Sequence, residues 1–156
     1  FISICSCNHM TQYDNNLSIY KDLVEEINCF FEDTTENKIN ISNFFTEDFI
    51  FYSFPAGNRK GIETLKVDYI NSFNQMKKNN INLQIVHSIY LPGIDEFSHN
   101  LDGSVRSYYG ADIFIDTNII DFSAYQTINF ENEKISAIWE WADYGGVKNL
   151  INKIYE

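Results

Sequence analysis

At Lys77-Lys78-Asn79-Asn80 the hydrophobic period of this chain changes from about 3.6 to two and holds there for a run of long segments, and that change constrains the fold more than any other feature. Before it, helical spacing dominates. From Leu17 onward, Tyr20, Leu23, Val24, Ile27, Phe30 and Phe31 recur at three and four, with Asp22, Glu25 and Glu26 opposite, which predicts an amphipathic helix. Asn15 and Asn16 are available as N-caps, and "EDTTENK" breaks the pattern. "INISNFFTEDF" predicts a shorter helical piece leading into a strand, "FIFYSFP", which Pro55-Ala56-Gly57-Asn58 ends. Gly61 is then expected to open a second long helix with Ile62, Leu65, Tyr69, Phe73 and Met76 on one face, its lysines suiting the C-terminal dipole.

After the change the period is two. "INLQIVHSIYLPG" places Ile81, Leu83, Ile85, His87 and Ile89 on one face of a strand, with Pro92-Gly93 expected to stop it. "SVRSYYGADIFID" and "IIDFSAYQTINF" follow. In the latter, Ile120, Phe122, Ala124, Gln126, Ile128 and Phe130 share a face on which Gln126 is the polar exception. In "KISAIWEWADYGG", Ile135, Ala137, Trp139, Trp141 and Asp143 share one face, and Ser136, Ile138, Glu140 and Ala142 the other. "VKNLINKIYE" returns to helix. Helices first and long strands after predict an α+β fold, with helices on one face of a curved antiparallel sheet. A chain of 156 residues, 44% hydrophobic, suits one such domain with a real core.

A net charge of −11, with no Lys/Arg stripe to offset it, argues against nucleic acid as a partner. Cys5 and Cys7 are too close for an ordinary disulfide, no His/Cys set has zinc spacing, and Cys29 reads as a buried inert thiol, so no metal is expected. The first seven residues, "FISICSC", are apolar and give way abruptly to the polar "NHMTQYDNN", as the end of a signal peptide does. Ile4-Cys5-Ser6-Cys7 resembles the bacterial lipoprotein box. The expectation is therefore a leader over 1–7 with lipidation at Cys7, a flexible tether over 8–16, and a folded domain over 17–156. The protein would sit in the cell envelope through a lipid anchor, its only link to a membrane; the alternative is a cytoplasmic protein.

The element order, together with "NRKGIETLK", "YLPG", "DGSVRSYYG", "NFENEKIS" and "EWADYGG", resembles the nuclear transport factor 2-like superfamily and, within it, the SnoaL-like (polyketide cyclase-like) branch. The resemblance covers nearly everything from Leu17 onward. It implies a cystatin-like α+β barrel, a cone-like curved sheet wrapped around N-terminal helices. It also implies an apolar pocket open at one end, no cofactor, and a homodimer through the outer face of the sheet. In the SnoaL-type cyclases an Asp at the end of the terminal strand is a general base, and Asp143 occupies the matching position.

Two roles stand open for Asp143. Beside Trp139 and Trp141 a carboxylate would be desolvated and fit for proton transfer; alternatively, it caps the following turn by accepting from amides near Gly145 and Gly146. His87, between Ile85 and Ile89, is either its partner in the pocket or a satisfied core histidine. Trp139, Trp141, Gln126, Tyr52, Ile85 and Ile89 are expected to line the pocket. The chain departs from the water-activating Asp-Arg-Asp pattern of related epoxide hydrolases, having only Arg59 and Arg106 as arginines. The expected function is binding of a small apolar or aromatic molecule. The alternatives are a cofactor-independent cyclase, isomerase or lyase using Asp143 and His87, and a dimeric interaction module with a filled pocket.

Overall fold

The computed structural model describes residues 4–35 and 38–156, with side chains from Thr11 onward except at 36 and 37. The lipidation expected at Cys7 falls outside the described side chains. Helix α1 (Ile4–Glu32) leads through a 3-10 turn (Ser42–Phe44) to strand β1 (Phe45–Ser53), β2 (Ile62–Leu65) and helix α2 (Lys66–Lys78). Strands β3 (Ile81–Ile94), β4 (Leu101–Ile115), β5 (Asn118–Glu131) and β6 (Lys134–Ala142) follow, and helix α3 (Tyr144–Tyr155) ends the chain.

The six strands form one sheet in the order β2-β1-β6-β5-β4-β3. All neighbours are antiparallel except β1 and β6, which run parallel, so the sheet is mixed rather than wholly antiparallel. α1 packs across β3 and β4 on the inner face. Phe45 and Phe49 of β1 are fully buried there with Leu23, Phe30, Ile128 and Ile138. Burying a ring of that size contributes about 1.5–3 kcal/mol, so these phenylalanines anchor the parallel seam.

Four local expectations are corrected. The tether over 8–16 lies within α1: Tyr13 and Asn16 are buried, and Asn16 Nδ2 donates to the Gly103 carbonyl at 2.8 Å. The spacing Tyr13, Asn16, Tyr20, Leu23 continues the helical stripe upstream of Leu17. The helix expected to open at Gly61 is preceded by β2, which pairs with β1 and leaves Ile62 and Leu65 exposed. β3 runs through Pro92-Gly93 to Ile94, because it is an edge strand, where proline's missing N–H is tolerated. Cys29 is exposed: it lies on the polar side of α1 with Glu25 and Glu26, away from the stripe of Leu23, Ile27 and Phe30.

Two bulges decide which side chains point inward. One falls in β3 between Ile85 and His87, at Val86. The other falls in β6, where Phe130 faces Ile135 but Asn129 faces Ala137, so Ser136 is the extra residue. Each bulge advances the strand by one residue and exchanges its two faces. Ile135 before the second bulge and Ile138 and Glu140 after it are all buried.

Candidate functional site

A cavity of about 460 Å³ lies against the concave face. Its apolar wall includes Leu23 and Ile27 of α1, Phe73 of α2, Leu83 of β3 and Ile138 of β6, with Val147 and Ile151 of α3 closing one side. Glu140 is the one carboxylate among the described lining residues. It is buried at 8% exposure, in the middle of a polar row that crosses the sheet: Ser107 faces Gln126, and Gln126 faces Glu140.

Three donors converge on that carboxylate. Tyr109 Oη and Gln126 Nε2 each donate to Glu140 Oε2 at 2.5 Å, and Tyr144 Oη donates to Oε1 at 2.6 Å. Tyr20 Oη donates to Gln126 Oε1 at 2.6 Å, which fixes the amide with its nitrogen toward Glu140. An ionised carboxylate accepts at four positions, so Oε2 is filled and Oε1 keeps one position free. Burial, and after it the charge of Glu140, pushes the Tyr109 and Tyr144 phenols above the usual tyrosine range. Burial likewise pushes Tyr20 and Tyr69 up. These hydroxyls therefore stay protonated and act as donors at neutral pH.

Of the residues expected to form the site, Ile85 and Gln126 line this cavity. The others do not. Past the bulge at Val86, His87 and Ile89 turn to the convex face, where Ile89 is 58% exposed and the His87 ring lies over Gly110. A Cβ on Gly110 would meet His87 Cε1 at 2.5 Å, so the imidazole rests where only glycine fits. Past the bulge at Ser136, Trp139 and Trp141 also face outward: Trp139 stacks on Tyr52 with ring centroids 5.4 Å apart, and Trp141 on Phe54 at 4.5 Å. Tyr52 is therefore external too, and its neighbour Phe51 lines the cavity.

Asp143 is exposed and caps α3, its Oδ1 accepting from Gly146 N at 2.8 Å. A Cβ on Gly146 would come within 2.2 Å of Asp143 Oδ2, so the close approach of the cap needs glycine. Asp143 and His87 lie on neither side of a common site, and the geometry gives the acid the capping role of the two weighed for it.

Sequence reasoning passed over Glu140, Tyr20, Tyr69, Tyr109 and Tyr144. One signal was present. Glu140 is the lone acid between Ile138 and Ala142, as Gln126 is the polar exception of its own face, and the two exceptions stand opposite each other in register.

No family model matches the sequence, and no curated protein matches it. Solved structures do. A candidate polyketide cyclase from Xanthomonas campestris is 9% identical with a TM-score of 0.64, covering 87% of this chain and 96% of that one. An NTF2-like protein from Anabaena variabilis is 18% identical with a TM-score of 0.58, over 83% and 90% of the two chains. The chain has the nuclear transport factor 2-like fold. An LEH-like epoxide hydrolase from M. tuberculosis, 10% identical with a TM-score of 0.58 over 91% and 93%, shows that the nuclear transport factor 2-like frame also carries a different chemistry. At these identities the likeness is one of fold, and function has to be argued from the cavity.

Proposed function

We propose that the cone binds a small, mainly apolar molecule whose polar end reaches Glu140. The observation that carries this reading is the pairing of an apolar cavity with a single buried carboxylate that is held by three donors and retains one acceptor position. The test is calorimetric titration with 2-ethylnaphthalene, in the wild type and in Ala142→Phe, which fills the cavity from the inner face of β6. The expected result is saturable binding that Ala142→Phe weakens by about tenfold or more, since overpacking removes the space the probe needs. Equal binding by both proteins would place the ligand elsewhere.

Cofactor-independent proton abstraction is the second reading, favoured by the free position on Glu140 Oε1. Glu140, not Asp143, would be the base: it takes a proton from carbon beside a carbonyl, the C–H pair becomes a C=C bond, and the carbonyl oxygen takes the negative charge. Deuterium exchange of the methyl protons of 2-acetylnaphthalene in heavy water, lost in Glu140→Gln, would support it. Exchange no faster than in buffer would leave a binder.

The convex face supports a homodimer, the assembly expected for this chain. Ile89, Tyr108, Tyr125 and Trp141 stand in register across four strands, continued by Phe54 stacked on Trp141. Tyr108 is 50% and Trp141 43% exposed, a contiguous aromatic row of the kind that a second copy covers. Light scattering at micromolar concentration should give a dimer, and Tyr108→Glu with Trp141→Glu a monomer. A monomeric wild type would refute this assembly.

A further inference from the structure

We propose that the Tyr69 hydroxyl is the donor that holds an oxygen of the bound molecule, which makes the cavity selective for a neutral ligand bearing a carbonyl group. The proposal rests on the cavity being a binding site and names the chemistry that it selects.

Tyr69 lies in the first turn of α2 and lines the cavity at 9% exposure. Its ring is held by four phenylalanines: stacked on Phe51 at 4.9 Å, tilted on Phe49 at 5.3 Å, and edge-on to Phe73 at 5.2 Å and Phe45 at 5.7 Å. Such a clasp suits a plain hydrocarbon ring, and phenylalanine would pack there equally well. The hydroxyl is what the surroundings do not account for.

The other three phenols on the cavity wall spend their protons inside the protein, Tyr20 on Gln126 and Tyr109 and Tyr144 on Glu140. Tyr69 Oη has no hydrogen-bond partner among the described residues. Nor is it sealed away: Tyr69 Oη is not among the fully buried, unpartnered side-chain atoms of the described residues, so it opens onto the cavity that the residue lines. A hydroxyl that faces the cavity without a side-chain partner is available to donate to an acceptor that a ligand brings.

The electrostatics choose among ligands. Burial first, and then the charge of Glu140, keep the Tyr69 phenol protonated, so it offers a proton and seeks an acceptor. The same carboxylate repels a ligand carboxylate brought to that end of the cavity. A ketone, aldehyde or ester oxygen is the acceptor that carries no charge, and the four-ring clasp holds the donor in place before the ligand arrives, which lowers the cost of ordering it.

The experiment compares 2-acetylnaphthalene with 2-ethylnaphthalene, which match in shape and differ in the carbonyl, by calorimetry on wild type and Tyr69→Phe. The wild type is expected to prefer the ketone by about tenfold, as one hydrogen bond to a buried polar group provides. Tyr69→Phe should erase the preference while changing the affinity for 2-ethylnaphthalene by less than about twofold, since the substitution removes only the hydroxyl. A carbonyl-labelled ketone should show its infrared stretch at lower wavenumber when bound to the wild type and restored in the variant. A wild type that binds both probes equally, or a preference that survives Tyr69→Phe, overturns the proposal and leaves the cavity standing. Failure of both probes to bind the wild type overturns the cavity reading, and this proposal with it.

Discussion

Glu140→Ala is expected to lower the stability of the free protein by about 3 kcal/mol, read as a lower urea midpoint at unchanged slope. The loss follows from the donors left behind. Tyr109 and Gln126 are buried at 8% and 7% exposure, and without Glu140 Oε2 neither the phenol nor the amide nitrogen has its acceptor. Each buried donor left unsatisfied costs about 1–3 kcal/mol, while removal of the carboxylate's own desolvation returns part of the sum. Tyr144 adds little, because it is only half-buried and can turn to water. Asp143→Ala is the contrasting control: it removes a cap, costs about 1 kcal/mol, and leaves probe binding unchanged. A Glu140→Ala protein as stable as the wild type would mean that the three donors do not depend on the carboxylate.

Alkaline solution should unfold the protein steeply once the pH passes the ordinary tyrosine range. Tyr20, Tyr69 and Tyr109 are buried at 3%, 9% and 8% exposure, and burial raises the pKa of all three in the folded state. The unfolded chain releases these protons near the reference value of about 10, whereas the folded chain keeps them, so above that pH the unfolded state binds fewer protons and stability falls. The stabilising contribution is whole below about pH 10 and is lost as the pH rises, at about 1.4 kcal/mol per tyrosine for each unit. For three tyrosines the loss is about 4 kcal/mol by pH 11. Urea unfolding at pH 8 and pH 11, with tyrosinate absorbance followed in parallel, measures it. Ionisation of all ten tyrosines before any loss of helix signal would show that the phenols are not shielded.

The fold could be read because its periods are long and regular. α1 carries its stripe over five turns, and β5 keeps Ile120, Phe122, Ala124, Gln126 and Ile128 on one face without interruption, the arrangement expected from alternation alone. The site was harder to read because it depends on which of two faces points inward, and a single extra residue reverses that. In "ISAIWEWA" both faces carry apolar groups, Ile138 and Ala142 on one and Trp139 and Trp141 on the other, so hydrophobicity favoured the indole face although the bulge turns it outward. The bulge at Ser136 made the choice, turned the indoles outward and brought Glu140 in. His87 and Ile89 were displaced in the same way by Val86, while Ile85, just before that bulge, kept its place on the cavity wall. The tyrosines around Glu140 come from α1, β4 and α3, and no local pattern joins residues so far apart in the chain. Asp143 showed both of its roles in the sequence, and the nearness of Gly145 and Gly146 was the clue to the one it takes.

The parallel pairing of β1 with β6 has a kinetic consequence. β1 is the first strand made and β6 the last, and they lie side by side, with Tyr52 opposite Trp139. The hairpin of β1 and β2 can form early, and the meander from β3 to β6 can form from neighbours in sequence, but the seam between the two halves must wait for nearly the whole chain. Loop-closure entropy is spent before that seam returns any contact, which slows the rate-limiting step. During synthesis on the ribosome, the edge of β1 that pairs with β6 stays open until β6 emerges, so the growing chain presents an unpaired strand edge for most of its translation and is exposed to association with its own kind until it is nearly complete.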